Sequence, residues 1–252
     1  MIDVHTHILP GIDDGSRDLY ESLEMAQIAA ESGTQVMVAT PHCNLPRNFR
    51  TNFFDEEYRS LFDRTEQAIR KEGIPLRLLP GMEVYITEDL PQLLIDGKIM
   101  PLNGSRYVLM EFAMDGDPDF ARYILPRIRR TGAVPVIAHV ERYGFLQDDP
   151  LLALRWREEG DVIQCNKGSF LGRFGRREMN TAYYLMDCGI VDVIASDTHR
   201  PVVRTPDMGE AYELLAAQYP EDYIKQLFHI NPGLLCLDKP IMARQPVILP
   251  RE

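Results

Sequence analysis

The chain has 252 residues, 45% of them hydrophobic, which is enough for one large domain and suits an α/β barrel folding as a single unit. Its formal net charge of −11, from 27 Lys and Arg against 38 Asp and Glu, speaks against nucleic-acid binding, because phosphate backbones attract basic patches. No apolar run reaches the ~18 residues a membrane helix needs, and the start Met-Ile-Asp-Val-His lacks the basic-then-apolar order of a signal peptide, so one cytoplasmic domain over residues 1–252, without membrane insertion, is expected.

Short apolar runs alternate with helical stretches along the chain. Strands are predicted at Ile2–Val4, Gln35–Ala39, Leu76–Leu79, Arg106–Phe112, Val134–Ala138, Asp161–Cys165 and Val191–Ala195. Most are continuously apolar, as strands buried on both faces of a parallel sheet are. Helices are predicted at Leu19–Glu31, Glu56–Lys71, Phe120–Arg130, Leu151–Glu159 and Arg176–Asp187. Gly33, Gly73, Gly132, Gly160 and Gly189 follow them, where C-terminal glycines belong. Further helices are expected at Met208–Gln218 and after Pro220, whereas Tyr85–Met100 reads only weakly as helix. The alternation predicts an α/β fold, a distorted (β/α)7 TIM-like barrel, with a doubly wound open sheet as the structural alternative.

Functional side chains of such barrels gather at the C-terminal ends of the strands. After the successive predicted strands come His5-Thr6-His7 with Asp13-Asp14-Gly15, then Thr40-Pro41-His42, Gly81-Met82-Glu83, Glu111, His139 with Glu141 and Arg142, Gln164 with Asn166, and Asp197-Thr198-His199. Five of the six histidines therefore fall at strand ends, and only His229 does not. Residues i and i+2 of a strand share a side, so His5 and His7 can bind one ion, as can Asp197 and His199 opposite. Imidazole with carboxylate and no thiolate suits Mn, Fe or Zn. The nine candidates His5, His7, Asp14, His42, Glu83, Glu111, His139, Asp197 and His199 exceed the needs of one ion, so two or three divalent ions with a bridging carboxylate are expected.

The four cysteines, Cys43, Cys165, Cys188 and Cys236, form no Cys-x-x-Cys pair, and none has an arginine six residues later. A thioredoxin-type motif and the loop of thiol-based phosphatases are both absent, and buried or free thiols are expected.

Taken together, Ile2-Asp3-Val4-His5-Thr6-His7, Asp13-Asp14-Gly15, Thr40-Pro41-His42, Pro80-Gly81-Met82-Glu83-Val84, His139-Val140-Glu141-Arg142-Tyr143, Gln164-Cys165-Asn166-Lys167-Gly168-Ser169 and Ser196-Asp197-Thr198-His199 resemble the PHP (polymerase and histidinol phosphatase) superfamily. More narrowly, the chain is similar to the bacterial manganese-dependent tyrosine-protein phosphatases of the capsule and exopolysaccharide type, CpsB/CapC, from Met1 to about residue 240. The resemblance implies a trinuclear site. One ion would take His5, His7 and Asp197, a second Glu111 and His139, a third Asp14, His42 and His199, with Glu83 bridging the first two. It also implies two phosphate-facing arginines, at the positions of Arg142 and Arg204, and a partner in the tyrosine-rich tail of a bacterial tyrosine kinase. The stretch from Cys43 to Phe54 and the tail from Lys239 to Glu252 match nothing in the family pattern.

The expected mechanism is direct attack on phosphotyrosine by a metal-bridging hydroxide, with the arginines gripping the phosphoryl group. A phosphorylated partner meeting an acidic enzyme needs a local basic rim; Arg47 and Arg50 are the substrate-binding candidates, with Arg173, Arg176 and Arg177 beside them. The alternatives are another PHP phosphoesterase such as a histidinol phosphatase, an amidohydrolase, for which only Lys167 could supply the bridging lysine, and a non-catalytic metal-binding interaction module.

Overall fold

The computed structural model describes residues 1–45 and 52–247. Its strands are β1 (Ile2–Thr6), β2 (Val36–Ala39), β3 (His42–Cys43), β4 (Arg77–Pro80), β5 (Glu83–Tyr85), β6 (Tyr107–Glu111), β7 (Val134–Ile137), β8 (Val162–Asn166) and β9 (Val193–Ala195). The α-helices are α1 (Leu19–Glu31), α2 (Glu56–Lys71), α3 (Leu90–Ile95), α4 (Pro118–Arg129), α5 (Gly144–Asp148), α6 (Leu151–Glu158), α7 (Lys167–Phe170), α8 (Arg176–Asp187), α9 (Gly209–Ala216), α10 (Glu221–Lys225) and α11 (Asn231–Cys236). Asp18, Asp55 and Asp117 cap α1, α2 and α4 by accepting hydrogen bonds from backbone N–H groups of their first turns.

Every strand pairing is parallel. The strands run β1-β2-β4 in one sheet and β3-β5-β6-β7-β8-β9 in the other. β3 follows β2 after Thr40-Pro41, and β5 follows β4 after Gly81-Met82, so each pair makes one wall. Asp197 N donates to His5 O at 2.9 Å and His7 N donates to Thr198 O at 2.9 Å, which brings β1 beside the segment that leaves β9. The sheet is thus curled.

Val4, Val38, Leu79, Leu109, Val136, Val162 and Val193 form a buried cluster from one face of successive walls, filling the inside of the curl. The opposite face, with Met37, Leu78, Val108, Ile137, Ile163 and Ile194, packs against Met25, Ile69, Ile124 and Leu185 of the helices. Each such side chain contributes roughly 1.5–3 kcal/mol when fully buried. The register of β1 against β2 shifts between Asp3 and Thr6. Such a bulge re-aims side chains, and it lets Val4 join the inner cluster while its neighbour His5 reaches across to Gln164 and Glu83.

All seven predicted strands are present within two residues at either end. β3 and β5 are additional, and too short for periodicity to show. The only helix in the weak Tyr85–Met100 stretch is α3, which has Pro91 in its first turn.

Candidate metal centre

Six strands contribute to a polar layer above the inner apolar cluster. His5 and His7 come from the end of β1, and His42 from β3. Glu83 opens β5, Glu111 closes β6, and His139, Asp197 and His199 follow β7 and β9. His139 and Asp197 hold left-handed backbone, with φ of 35° and 52°. That conformation is uncommon for residues other than glycine and collects at functional sites.

The side chains converge closely. Glu83 Oε2 lies 3.2 Å from His5 Nε2, 3.2 Å from His7 Nε2 and 3.1 Å from His42 Nδ1, while Glu83 Oε1 is 2.9 Å from His139 Nε2. Asp197 Oδ1 lies 3.3 Å from His5 Nε2 and 3.4 Å from His7 Nε2. Glu111 Oε1 is 3.1 Å from His42 Nδ1, and Glu111 Oε2 is 3.7 Å from His139 Nε2. Asp14 Oδ1 stands 3.5 Å from His42 Nε2 and 3.4 Å from His199 Nε2. Four groups of donor atoms result: His7, Asp14, His42 and His199; His5, His7 and Glu83; His5, His139 and Asp197; and His42, Glu83 and Glu111. His5, His7, His42 and Glu83 each belong to two of them.

The outer nitrogens of two of the rings are held by other residues. His7 Nδ1 sits 2.7 Å from Asp13 Oδ2, and His5 Nδ1 sits 3.0 Å from Gln164 Oε1. Both partners are oxygen acceptors, so each ring donates there and turns a bare Nε2 inward. Gln164 Nε2 donates to Asn166 Oδ1 at 2.9 Å, and Asn166 Nδ2 donates to Asp197 Oδ2 at 2.6 Å, leaving Asp197 Oδ1 for the cluster. Gly15 N donates to Asp13 Oδ1, and a Cβ on Gly15 would lie 2.1 Å from His7 O, so only glycine fits this turn.

The donor set fits divalent metal ions. Glu83 Oε2, Asp197 Oδ1, His42 Nδ1 and His139 Nδ1 are buried without an aligned hydrogen bond. Glu83 Oε2 and Asp197 Oδ1 nevertheless face several imidazole nitrogens at little more than contact distance. Donor atoms that converge this closely are satisfied by a cation between them, a metal ion or a proton. The charges respond accordingly. Burial alone would raise the Glu83 carboxyl, but His5, His42 and His139 hold it well below the usual range. Burial likewise opposes ionisation of Asp197, and His5 and Arg204 overrule it. Burial disfavours a charged His42, yet Glu83 pushes its pKa up to about 10. His199, dominated by burial and next by His7, falls to about 4.

The two arginines stand on one side of this layer. Arg142 NH1 donates to Asp197 Oδ2 at 3.4 Å. Arg204, with φ of 52°, pairs with Asp197 Oδ2 through NH2, and its NH1 lies 3.1 Å from His199 Nε2. Their guanidinium carbons lie 4.8 and 5.8 Å from the ring centre of Phe174, a cation–π arrangement. His229 lies apart, edge-on to Tyr212. Arg47 and Arg50 fall outside the described residues. Arg173 pairs with Glu210 and Arg177 with Asp148, both at the surface. Among the described residues no helix is long and apolar enough to cross a membrane.

Sequence reasoning gave no role to Asp13, Gln164, Asn166 or Phe174. The first three carry a signal, since they lie beside the ligand candidates or at i, i+2 spacing on β8. Phe174, four residues after α7, carries none.

The family model for capsular polysaccharide synthesis, CpsB/CapC, matches residues 1–236. The tyrosine-protein phosphatase YwqE of Bacillus subtilis is 32% identical over 249 residues, covering 98% of this chain and 95% of its own. The tyrosine-protein phosphatase CpsB of Streptococcus pneumoniae is 31% identical over 244 residues, 95% of this chain and 99% of its own. A crystal structure from work on YwqE of B. subtilis and CpsB of S. pneumoniae, described as unique metal-dependent tyrosine phosphatases, superposes with a TM-score of 0.92 at 32% identity, covering 100% of both chains. The phosphotriesterase homology protein of Escherichia coli shares the fold, with a TM-score of 0.59 at 11% identity over 92% of this chain and 97% of its own. With the family model spanning nearly its whole described length, the chain belongs to the CpsB/CapC family of capsular polysaccharide synthesis.

Proposed function

We propose that the chain is a divalent-metal-dependent protein-tyrosine phosphatase acting in capsule or exopolysaccharide synthesis. The observation that carries this is the junction of the two halves of the site: a buried cluster of imidazoles and carboxylates with unpartnered oxygens on Glu83 and Asp197, flanked by Arg142 and Arg204. The named relatives are tyrosine-protein phosphatases. The nine residues His5, His7, Asp14, His42, Glu83, Glu111, His139, Asp197 and His199 would hold two or three ions, manganese by the family resemblance, within a distorted (β/α)7 barrel. The substrate would be the phosphorylated tail of a bacterial tyrosine kinase.

Divalent ions in such a cluster activate water at neutral pH and neutralise charge on a transferring phosphoryl group. The chain's own residues do the rest. Asp13 and Gln164 fix the ring orientations of His7 and His5. Asn166 and the arginines hold Asp197. Arginine forks suit the equatorial phosphoryl oxygens, where they stabilise the charge of a loose transition state. No thiol takes part: all four cysteines are buried, and burial pushes the Cys43 and Cys236 thiols up to about 12.

The test measures bound metal and turnover of a phosphotyrosine peptide in the same samples. Chelation should abolish turnover, manganese should restore it, and iodoacetamide on the folded enzyme should leave it intact. His5→Ala should lose metal and activity together, while His229→Ala keeps both. Turnover unaffected by chelation, or full inactivation by iodoacetamide with bound metal unchanged, would sink the reading.

A further inference from the structure

Next to the metal cluster lies a pocket of about 290 Å³, lined by Lys167, Arg173, Phe174, Val202, Arg204 and Thr205. It shares Arg204 and Phe174 with the side of the centre where the two arginines stand. Its floor holds a buried cation. Lys167 is 1% exposed, and its ammonium donates to the carbonyl of Asp207 at 2.6 Å. Among the described residues no carboxylate forms an ion pair with it. Lysine is almost never fully buried unless paired, and an ammonium has three donors to satisfy. Arg173 stands at the rim, where Glu210 occupies part of its guanidinium. Val202 and Val203 form an apolar lip, 90% and 67% exposed.

The charged side chains that line the pocket, Lys167, Arg173 and Arg204, are all cationic; Glu210 pairs with Arg173, Asp197 pairs with Arg204, and Asp3, Asp207 and Glu210 act on Lys167 from nearby. This lining occurs in a chain whose net charge is −11. Burial, then Arg173, lowers the Lys167 pKa to about 8, a direction that an anion in the pocket would reverse. Neighbouring residues of a peptide are only ~3.8 Å apart between Cα atoms, so a residue beside a phosphotyrosine held over the metals can enter this pocket.

We propose that the pocket receives an anionic side chain, carboxylate or phosphoryl, that flanks the target phosphotyrosine in the substrate polypeptide. The proposal rests on the phosphotyrosine reading, and Lys167 and Arg173 are then specificity-determining residues.

The experiment uses the full chain loaded with manganese. Peptides bearing a non-hydrolysable phosphonate analogue of phosphotyrosine carry Glu, phosphoserine, Gln or Lys beside it, and dissociation constants are measured by fluorescence anisotropy. The Glu and phosphoserine peptides should bind about tenfold tighter than the Gln peptide, the size of one charge-assisted hydrogen bond. Comparing those two shows which anion the pocket prefers. Lys167→Met should bring the Glu and Gln peptides to near equality. Arg173→Ala, at the exposed rim, should reduce the preference several-fold and serves if the buried substitution fails to fold. Equal affinity for Glu, phosphoserine and Gln peptides in the unsubstituted protein overturns the proposal, as does a preference that survives both substitutions. Hydrolysis of the matching phosphotyrosine peptides is followed in parallel. If none is hydrolysed while the anion preference holds, the phosphatase reading falls and the pocket stands.

Discussion

Asp197 divides its two oxygens between two tasks. Oδ1 faces His5 and His7, and Oδ2 gathers Asn166, Arg142 and Arg204. An arginine held by the outer oxygen of a candidate ligand is placed beside the cluster without being a candidate ligand itself. Arg142→Ala and Arg204→Ala should therefore keep their full metal content and lose turnover by about 10²–10³, the size typical of a lost transition-state donor. Lysine at either position should rescue only in part, because a point charge cannot reproduce a two-pronged contact. Kinetics and metal analysis on the same samples decide it; near-normal kcat/KM in both alanine variants would remove the arginines from the reaction. At this scale the sequence was highly legible for candidate ligands, because strand ends place His, Asp and Glu in an order that scattered residues would not show. It was poorly legible for the residues behind them. Asp13 looks like half of a turn signal, and only the folded turn puts its carboxylate 2.7 Å from His7 Nδ1.

Between residue and fold lies α7, which joins the end of β8 to the Phe174 segment. Gly168 sits in this short helix, and a Cβ there would stand 2.7 Å from the Phe174 ring. Phe174 in turn lies under both guanidinium groups. Gly168→Ala should push the ring outward and loosen both arginines, at a cost of about 1–3 kcal/mol in stability from overpacking. Turnover should fall while bound metal stays constant, and thermal melts with metal analysis read the two effects separately. A Gly168→Ala enzyme with unchanged kcat would show that the ring does not set the arginines. The long strands and helices were readable because each is a run of one period. α7 and β3 were not, since elements of 4 and 2 residues span about one period and offer no repeat to recognise. The bulge in β1 is equally silent, because it lies in backbone register and not in residue type.

For the whole molecule, the candidate metal centre couples stability to pH. Without ions, protons are the cations that can sit between its imidazoles and carboxylates. Burial opposes a charge on His5 and His7, yet Glu83 and Asp197 raise the pKa of His5, and Asp13 raises that of His7 well above the usual value. Glu83 raises His42 to about 10. A histidine whose folded pKa is raised contributes stability that is fully present below its unfolded value near 6.5 and is lost as pH climbs towards the folded value. His199, lowered to about 4, changes only below 6.5, and Lys167, at about 8, acts only above that pH. Between pH 6.5 and 8 the metal-free protein should therefore lose stability as pH rises, by up to roughly 1.4 kcal/mol per pH unit for His42, whose folded value lies above this window, with His5 and His7 acting in the same direction. Ions bound to these rings as proposed would keep them deprotonated, so this loss should not apply to the metal-loaded protein. Bound ions also stabilise by mass action, about 2.7 kcal/mol at a hundred times the dissociation constant. The gap in melting temperature between manganese-loaded and chelated samples should accordingly widen from pH 6.5 to pH 8, and His42→Gln should narrow the change by removing one titrating ring. Melts at the two pH values, with matched ionic strength, make the comparison. A gap that stays constant or shrinks would mean that protons and metal ions do not compete for this cluster, and the centre would then have to lie elsewhere in the chain.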